Sequence, residues 1–123
     1  MTDQIGSVLG RDELVSRIRS RDIFVSPMPE DKNIGRGTVD LALGSLFLIS
    51  RRSGKPYIPS RQFHNQLAFF NETRVNWSGT ITVQPGQMVL AATFVYLGLP
   101  SNLGGEIHSR SSFGRMGLVA AAA

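Results

Sequence analysis

A mainly β fold, a sandwich or barrel with one short helix in front of it, is what this chain predicts, and three observations carry the prediction. Apolar residues recur at helical spacing near the start, at Leu14, Val15 and Ile18. After Pro27 and Pro29 the pattern changes to short apolar or alternating runs. Those runs are separated by Gly, Pro, Asn and Ser clusters, the punctuation of an all-β chain.

The helix comes first. Gly10 is placed to cap it, and Asp12 and Glu13 fall in its first turn, where the positive end of the helix dipole favours carboxylates. Its apolar stripe is suited to packing on the rest of the chain, with Arg11, Arg17 and Arg19 pointing elsewhere. The predicted strands are 38–49, 80–83, 88–96 and 106–109. Between the first two, Arg51 to Ser60 (RRSGKPYIPS) is turn-rich, with Gly54 and Pro56 as breakers, and is expected to leave the sheet. No repeat or linker composition divides the chain, so a single domain over 1–123 is expected, and 123 residues with 41% hydrophobic composition allow it a modest core.

Composition excludes several functions. The chain holds no cysteine, which rules out within it a disulfide framework or a thiolate metal site. No apolar run reaches spanning length and no secretory segment is visible, so a soluble, cytoplasmic protein with no membrane partner is expected. The net charge of +4 could suit nucleic acid, but the arginines are scattered and form no basic run with interleaved aromatics. A small polyphosphate explains the bias as well, and no nucleic-acid partner is expected.

The residues that carry chemistry are concentrated in His108 to Leu118, HSRSSFGRMGL. Arg110 and Arg115 supply planar forks of donors that match phosphate oxygens, and Ser109, Ser111 and Ser112 add short hydroxyls. Gly114 and Gly117 permit close backbone approach or positive φ beside a ligand. On composition alone, a polar turn between two strands with solvated arginines is equally open.

The segment SRSSFGRMGL resembles the RSS-x-x-R-x-GL signature of the deoxycytidine triphosphate (dCTP) deaminases, which share a fold with the trimeric deoxyuridine triphosphatases. Two further stretches match in order and spacing: Gly37 to Gly44, GTVDLALG, and Val83 to Ile107, VQPGQMVLAATFVYLGLPSNLGGEI. The opening, a short helix followed by Asp22 to Pro27, is similar to the family's helix and I-x-P strand, so the resemblance spans nearly the whole chain. It implies a dUTPase-like distorted jelly roll or β-barrel with a short N-terminal α-helix.

The resemblance also implies hydrolytic deamination of dCTP to dUTP and ammonia. Ser111 is the family-matched hydroxyl for holding the attacking water, and Arg110, Ser111, Ser112 and Arg115 are matched to the triphosphate, with Arg115 also stabilising the site electrostatically. Magnesium would be bound mainly through substrate phosphates and water, with no direct protein ligand. A homotrimer with sites shared between subunits is implied. Zinc chemistry is not expected, because zinc deaminases need a His and Cys site that this sequence lacks.

In the family, a strand bearing a catalytic glutamate and a closing C-terminal part follow the signature, whereas this sequence ends at Ala123. Three readings are open: a truncated or partial chain, a partner segment that completes the fold, or lost catalysis. The first is favoured. The rival functions are a deoxyuridine triphosphatase, a bifunctional enzyme, and a catalytically silent nucleotide-binding or assembly protein. Other prominent residues take plainer readings. Asp40 is expected to be a structural carboxylate at a buried junction, where it would need a partner. Glu106 and His108 show no acid or base partner at useful spacing, and His64 falls in a loop. Trp77, Phe69 and Phe70 suit core or subunit contact better than base stacking.

Overall fold

The structure, a computed structural model, describes residues 6–54, 56 and 68–121. It is mainly β, with elements in the order α1 (Arg11–Arg19), β1 (Phe24–Ser26), β2 (Leu43–Ser50), β3 (Phe70–Arg74), β4 (Val89–Thr93), β5 (Tyr96–Gly98) and α2 (Ser111–Arg115). The strands form two antiparallel sheets, β1–β5 and β3–β2–β4, and no closed barrel forms among the described residues.

The helix α1 follows the sequence closely. Gly10 is its N-cap, and the Gly10 carbonyl accepts from the Leu14 N–H at 2.9 Å. Arg17 donates from Nε to Glu13 Oε1 at 2.8 Å and from Nη1 to Asp22 Oδ2 at 3.3 Å; the hydrogen bond to Glu13 raises its pKa above the ordinary arginine value. Arg11 donates to the carbonyls of Ile34 and Asp31, each at 3.2 Å, and so ties the helix to the next turn.

Leu14 and Ile18 of α1 bury against Ile23, Val25 and Ile34, with Leu9, Val15, Val39, Val95 and Leu103 packed around them. Burying each large aliphatic side chain stabilises the fold by about 1.5–3 kcal/mol. The cluster gathers parts that are far apart in sequence. Val25 faces Leu97 across the β1–β5 ladder, and Leu103 sits just before the signature segment.

The predicted strand 38–49 begins later, at Leu43, and ends at Ser50. Residues before it are taken by a tight turn: Gly35 N–H donates to the Thr38 carbonyl at 2.8 Å, Ile34 bridges Val39, and Asp40 N–H donates to the Asn33 carbonyl at 2.8 Å. Gly37 turns this hairpin at φ +77°, and a Cβ there would stand 2.9 Å from both the Leu9 carbonyl oxygen and Val8 Cγ1.

The run 88–96 is two strands instead of one. Phe94 N–H donates to the Ala42 carbonyl at 2.8 Å and Thr93 Oγ1 to the Val95 carbonyl at 2.8 Å, bending the chain so that β4 pairs with β2 and β5 with β1. Neither 80–83 nor 106–109 forms a strand, because neither stretch finds a ladder partner among the described residues. β3, absent from the strands expected above, pairs with β2 from Leu46↔Arg74 to Ser50↔Phe70. The turn-rich stretch after Arg51 leaves the sheet over its described residues, and Lys55 and 57–60 lie outside them, as does His64.

Candidate functional site

The path to the signature starts at the core. Leu103 packs on it and closes a turn by donating its N–H to the Pro100 carbonyl at 3.1 Å. The chain then runs irregularly through Glu106 and His108. Contrary to the expectation that these two lack a partner, His108 Nε2 lies 3.2 Å from Glu106 Oε2, an exposed pair made possible because residues two apart in an extended segment share a side.

The signature itself is a short helix, not a strand. Arg110 is the N-cap in extended conformation, and its carbonyl accepts from the N–H groups of Phe113 and Gly114, each at 3.0 Å. The helix is stopped by its own glycine. Gly117 adopts φ +84°, its N–H donates to the Gly114 carbonyl at 3.0 Å, and Leu118 N–H donates to the Phe113 carbonyl at 3.1 Å. That pair of bonds is a Schellman terminus, which requires the left-handed conformation that glycine adopts without strain. The Gly-Leu at the end of the signature is therefore a helix stop.

This geometry brings three of the candidate site residues together and places the fourth beside them. Ser111 and Ser112 form the first turn of α2, and Arg115 ends it, four and three positions later. Residues so spaced are neighbours on a helix surface. Arg110 precedes them directly, and all four residues are exposed. The result is an exposed turn on which Arg115 neighbours two hydroxyls, with the second guanidinium fork, Arg110, directly before it, and all of these groups are donors suited to phosphate oxygens. Ser111 is hydrogen-bonded to no carboxylate among the described residues.

Asp40 corrects the expectation of a buried carboxylate. Its side chain keeps 38% of its exposure, and Oδ2 lies 3.6 Å from Arg110 Nη1. The partner is thus a signature residue, reached from the Gly37 to Gly44 segment by the hairpin. Sequence reasoning missed this link because nothing in local spacing reports a contact between positions 40 and 110.

The aromatic residues lie elsewhere. Trp77 packs edge-to-face on Phe94, with centroids 4.7 Å apart at 85°, but it is 70% exposed and is not part of the core. Phe69 and Phe70 are half-buried at the start of β3. Open concavities of about 690 and 250 Å³ run along α1 and β1, and neither is lined by a signature residue. Among the described residues no group of three or more His, Cys, Asp or Glu could hold a metal ion, and no helix is long and apolar enough to cross a membrane.

The family model described as dCTP deaminase-like matches residues 8–123, covering helix, hairpin, both sheets and signature. The chain belongs to the dCTP deaminase-like family. It is 32% identical over 103 residues to a dCTP deaminase of Pasteurella multocida, an alignment covering 79% of this chain and 53% of that protein. It is 29% identical over 113 residues to a dCTP deaminase of Halorubrum lacusprofundi, covering 91% and 56%. A dCTP deaminase, dUMP-forming, of Methanobrevibacter smithii is 24% identical over 112 residues, covering 91% and 58%. The chain spans about half the length of the curated relatives it matches.

Proposed function

We propose that this dCTP deaminase-like chain serves the hydrolytic deamination of deoxycytidine triphosphate, in which dCTP and water give dUTP and ammonia. The observation that carries the proposal is the grouping of Ser111, Ser112 and Arg115 on one exposed helical turn, with Arg110 as its N-cap, in a chain of this family. Arg110, Ser111, Ser112 and Arg115 bind the triphosphate. Ser111 also holds the water that attacks C4 of cytosine, and Arg115 stabilises the charge that develops there. Deprotonating that water takes a carboxylate with a pKa near the working pH. Neither described carboxylate close in sequence or space to α2 is assigned that role, since Asp40 is engaged by Arg110 and Glu106 by His108.

Magnesium enters with the nucleotide, held by phosphate oxygens and water, which suits an ion that gives up its hydration reluctantly. The ion's contribution is charge neutralisation on the triphosphate. The assembly is a homotrimer in the cytoplasm, in which the open signature face of one subunit is completed by another. Exposed apolar side chains such as Leu97, Ile107, Phe113, Met116 and Val119 support contact with further protein.

A second reading, deamination coupled to release of dUMP, is favoured by the similarity to the dUMP-forming relative. Chromatography of dCTP incubated with the protein and magnesium separates the two. Accumulation of dUTP supports the first and direct appearance of dUMP the second. Binding without either product would point to a silent nucleotide-binding protein.

A further inference from the structure

The hairpin that precedes β2 and the signature helix are far apart in sequence, yet they meet at one ion pair. Asp40 is on the fixed side of it. Its N–H donates to the Asn33 carbonyl at 2.8 Å, and its neighbour Val39 bridges Ile34 and packs on the core. Arg110 is on the loosely held side. The backbone hydrogen bonds described for 111–118 all close within 110–118, so they do not fix the helix against the sheets.

The approach is one-sided as well. Asp40 Oδ2 lies 3.6 Å from Arg110 Nη1, while the guanidinium carries five N–H donors. At 3.6 Å the contact is an ion pair longer than a hydrogen bond, which biases the guanidinium toward Asp40 and leaves its N–H donors for a second anion. An exposed pair of this kind adds little to folding stability. Its effect is to limit where the arginine can be.

We propose that Asp40 is the positioning residue of the triphosphate site, holding the Arg110 guanidinium by Nη1 from a hairpin fixed to the core so that its remaining donors meet phosphate. This rests on the reading that Arg110 binds the triphosphate. Asp40 touches no substrate in this scheme. Its influence passes through Arg110 alone, which makes the proposal separable from a general structural role.

The test is a double-mutant cycle on the full chain, with dCTP and magnesium as the probe and affinity read by calorimetric titration. Asp40→Asn keeps the N–H that bonds Asn33 and removes the charge. It should leave the melting temperature unchanged and weaken dCTP binding about twofold to fivefold, the range of an exposed ion pair. Asp40→Glu should recover part of the loss. In an Arg110→Gln background, Asp40→Asn should change nothing further. The proposal is overturned if Asp40→Asn binds dCTP as the unmodified chain does, or weakens it by the same factor with and without Arg110. If Arg110→Gln itself leaves affinity unchanged, the phosphate assignment of Arg110 is what fails. If the unmodified chain binds no dCTP, both readings fall together.

Discussion

Replacing Ile18 with alanine tests whether the small cluster on α1 holds the molecule together. Ile18 is 2% exposed and is enclosed by Leu14, Ile23, Val25 and Ile34. The substitution removes three carbons, forfeiting roughly 2.4 kcal/mol at about 0.8 kcal/mol for each buried methylene. A residual cavity of roughly 40 Å³ at about 24 cal/mol per Å³ adds about 1 kcal/mol. The expected loss is therefore about 3.4 kcal/mol, a large share of the roughly 5–15 kcal/mol that stabilises an ordinary domain. Urea denaturation followed by circular dichroism measures it. Arg52→Ala, at an exposed position just after β2, is the control and should stay within about 0.5 kcal/mol. A loss below about 1 kcal/mol for Ile18→Ala would show that the cluster is not the stabilising core, and the placement of α1 and β1 would be wrong.

Two other outcomes follow from the same structure. Gly37→Ala should destabilise the chain by at least about 1 kcal/mol, because a side chain at φ +77° is strained and its Cβ meets the Leu9 carbonyl oxygen; an unchanged thermal midpoint would contradict the hairpin geometry on which Asp40 depends. Sedimentation at micromolar concentration should find a trimer. A well-folded monomer there would refute the shared-site proposal.

The parts of the fold that were legible in the sequence are those set by local chemistry. The stripe Leu14, Val15 and Ile18, with Gly10 before it and acidic residues in its first turn, specifies a helix without help from elsewhere, and α1 forms there. Strand boundaries depend on partners, which local periodicity does not report. The run 88–96 reads as one strand, but its two halves find ladders in different sheets, and the bend at Phe94 and Val95 has no breaker residue to mark it. β3 was hidden for a different reason. Its sequence, FNETR, holds Asn and Glu, residues that strands disfavour, and pairing with β2 overrides that preference.

The candidate site shows the same division. Arg110, Ser111, Ser112 and Arg115 are candidates by residue type and motif, and of Gly114 and Gly117, expected to permit close approach or positive φ beside a ligand, Gly117 adopts positive φ at a helix stop. That these residues form a helical turn depends on the Schellman bonds after Arg115, which residue type alone did not reveal. The contact between Asp40 and Arg110 depends on the tertiary fold and has no local signal.

The most direct test of the account is calorimetric titration of dCTP with magnesium into the unmodified chain and into Arg115→Ala. Arg115 is exposed at the end of α2, so its removal should spare the fold while deleting charge-assisted hydrogen bonds to phosphate. The account predicts a loss of about 1.5–3 kcal/mol in binding free energy, the range for hydrogen bonds to a charged group. Equal affinities in the two proteins would contradict it, because the triphosphate would then be bound somewhere other than the signature helix.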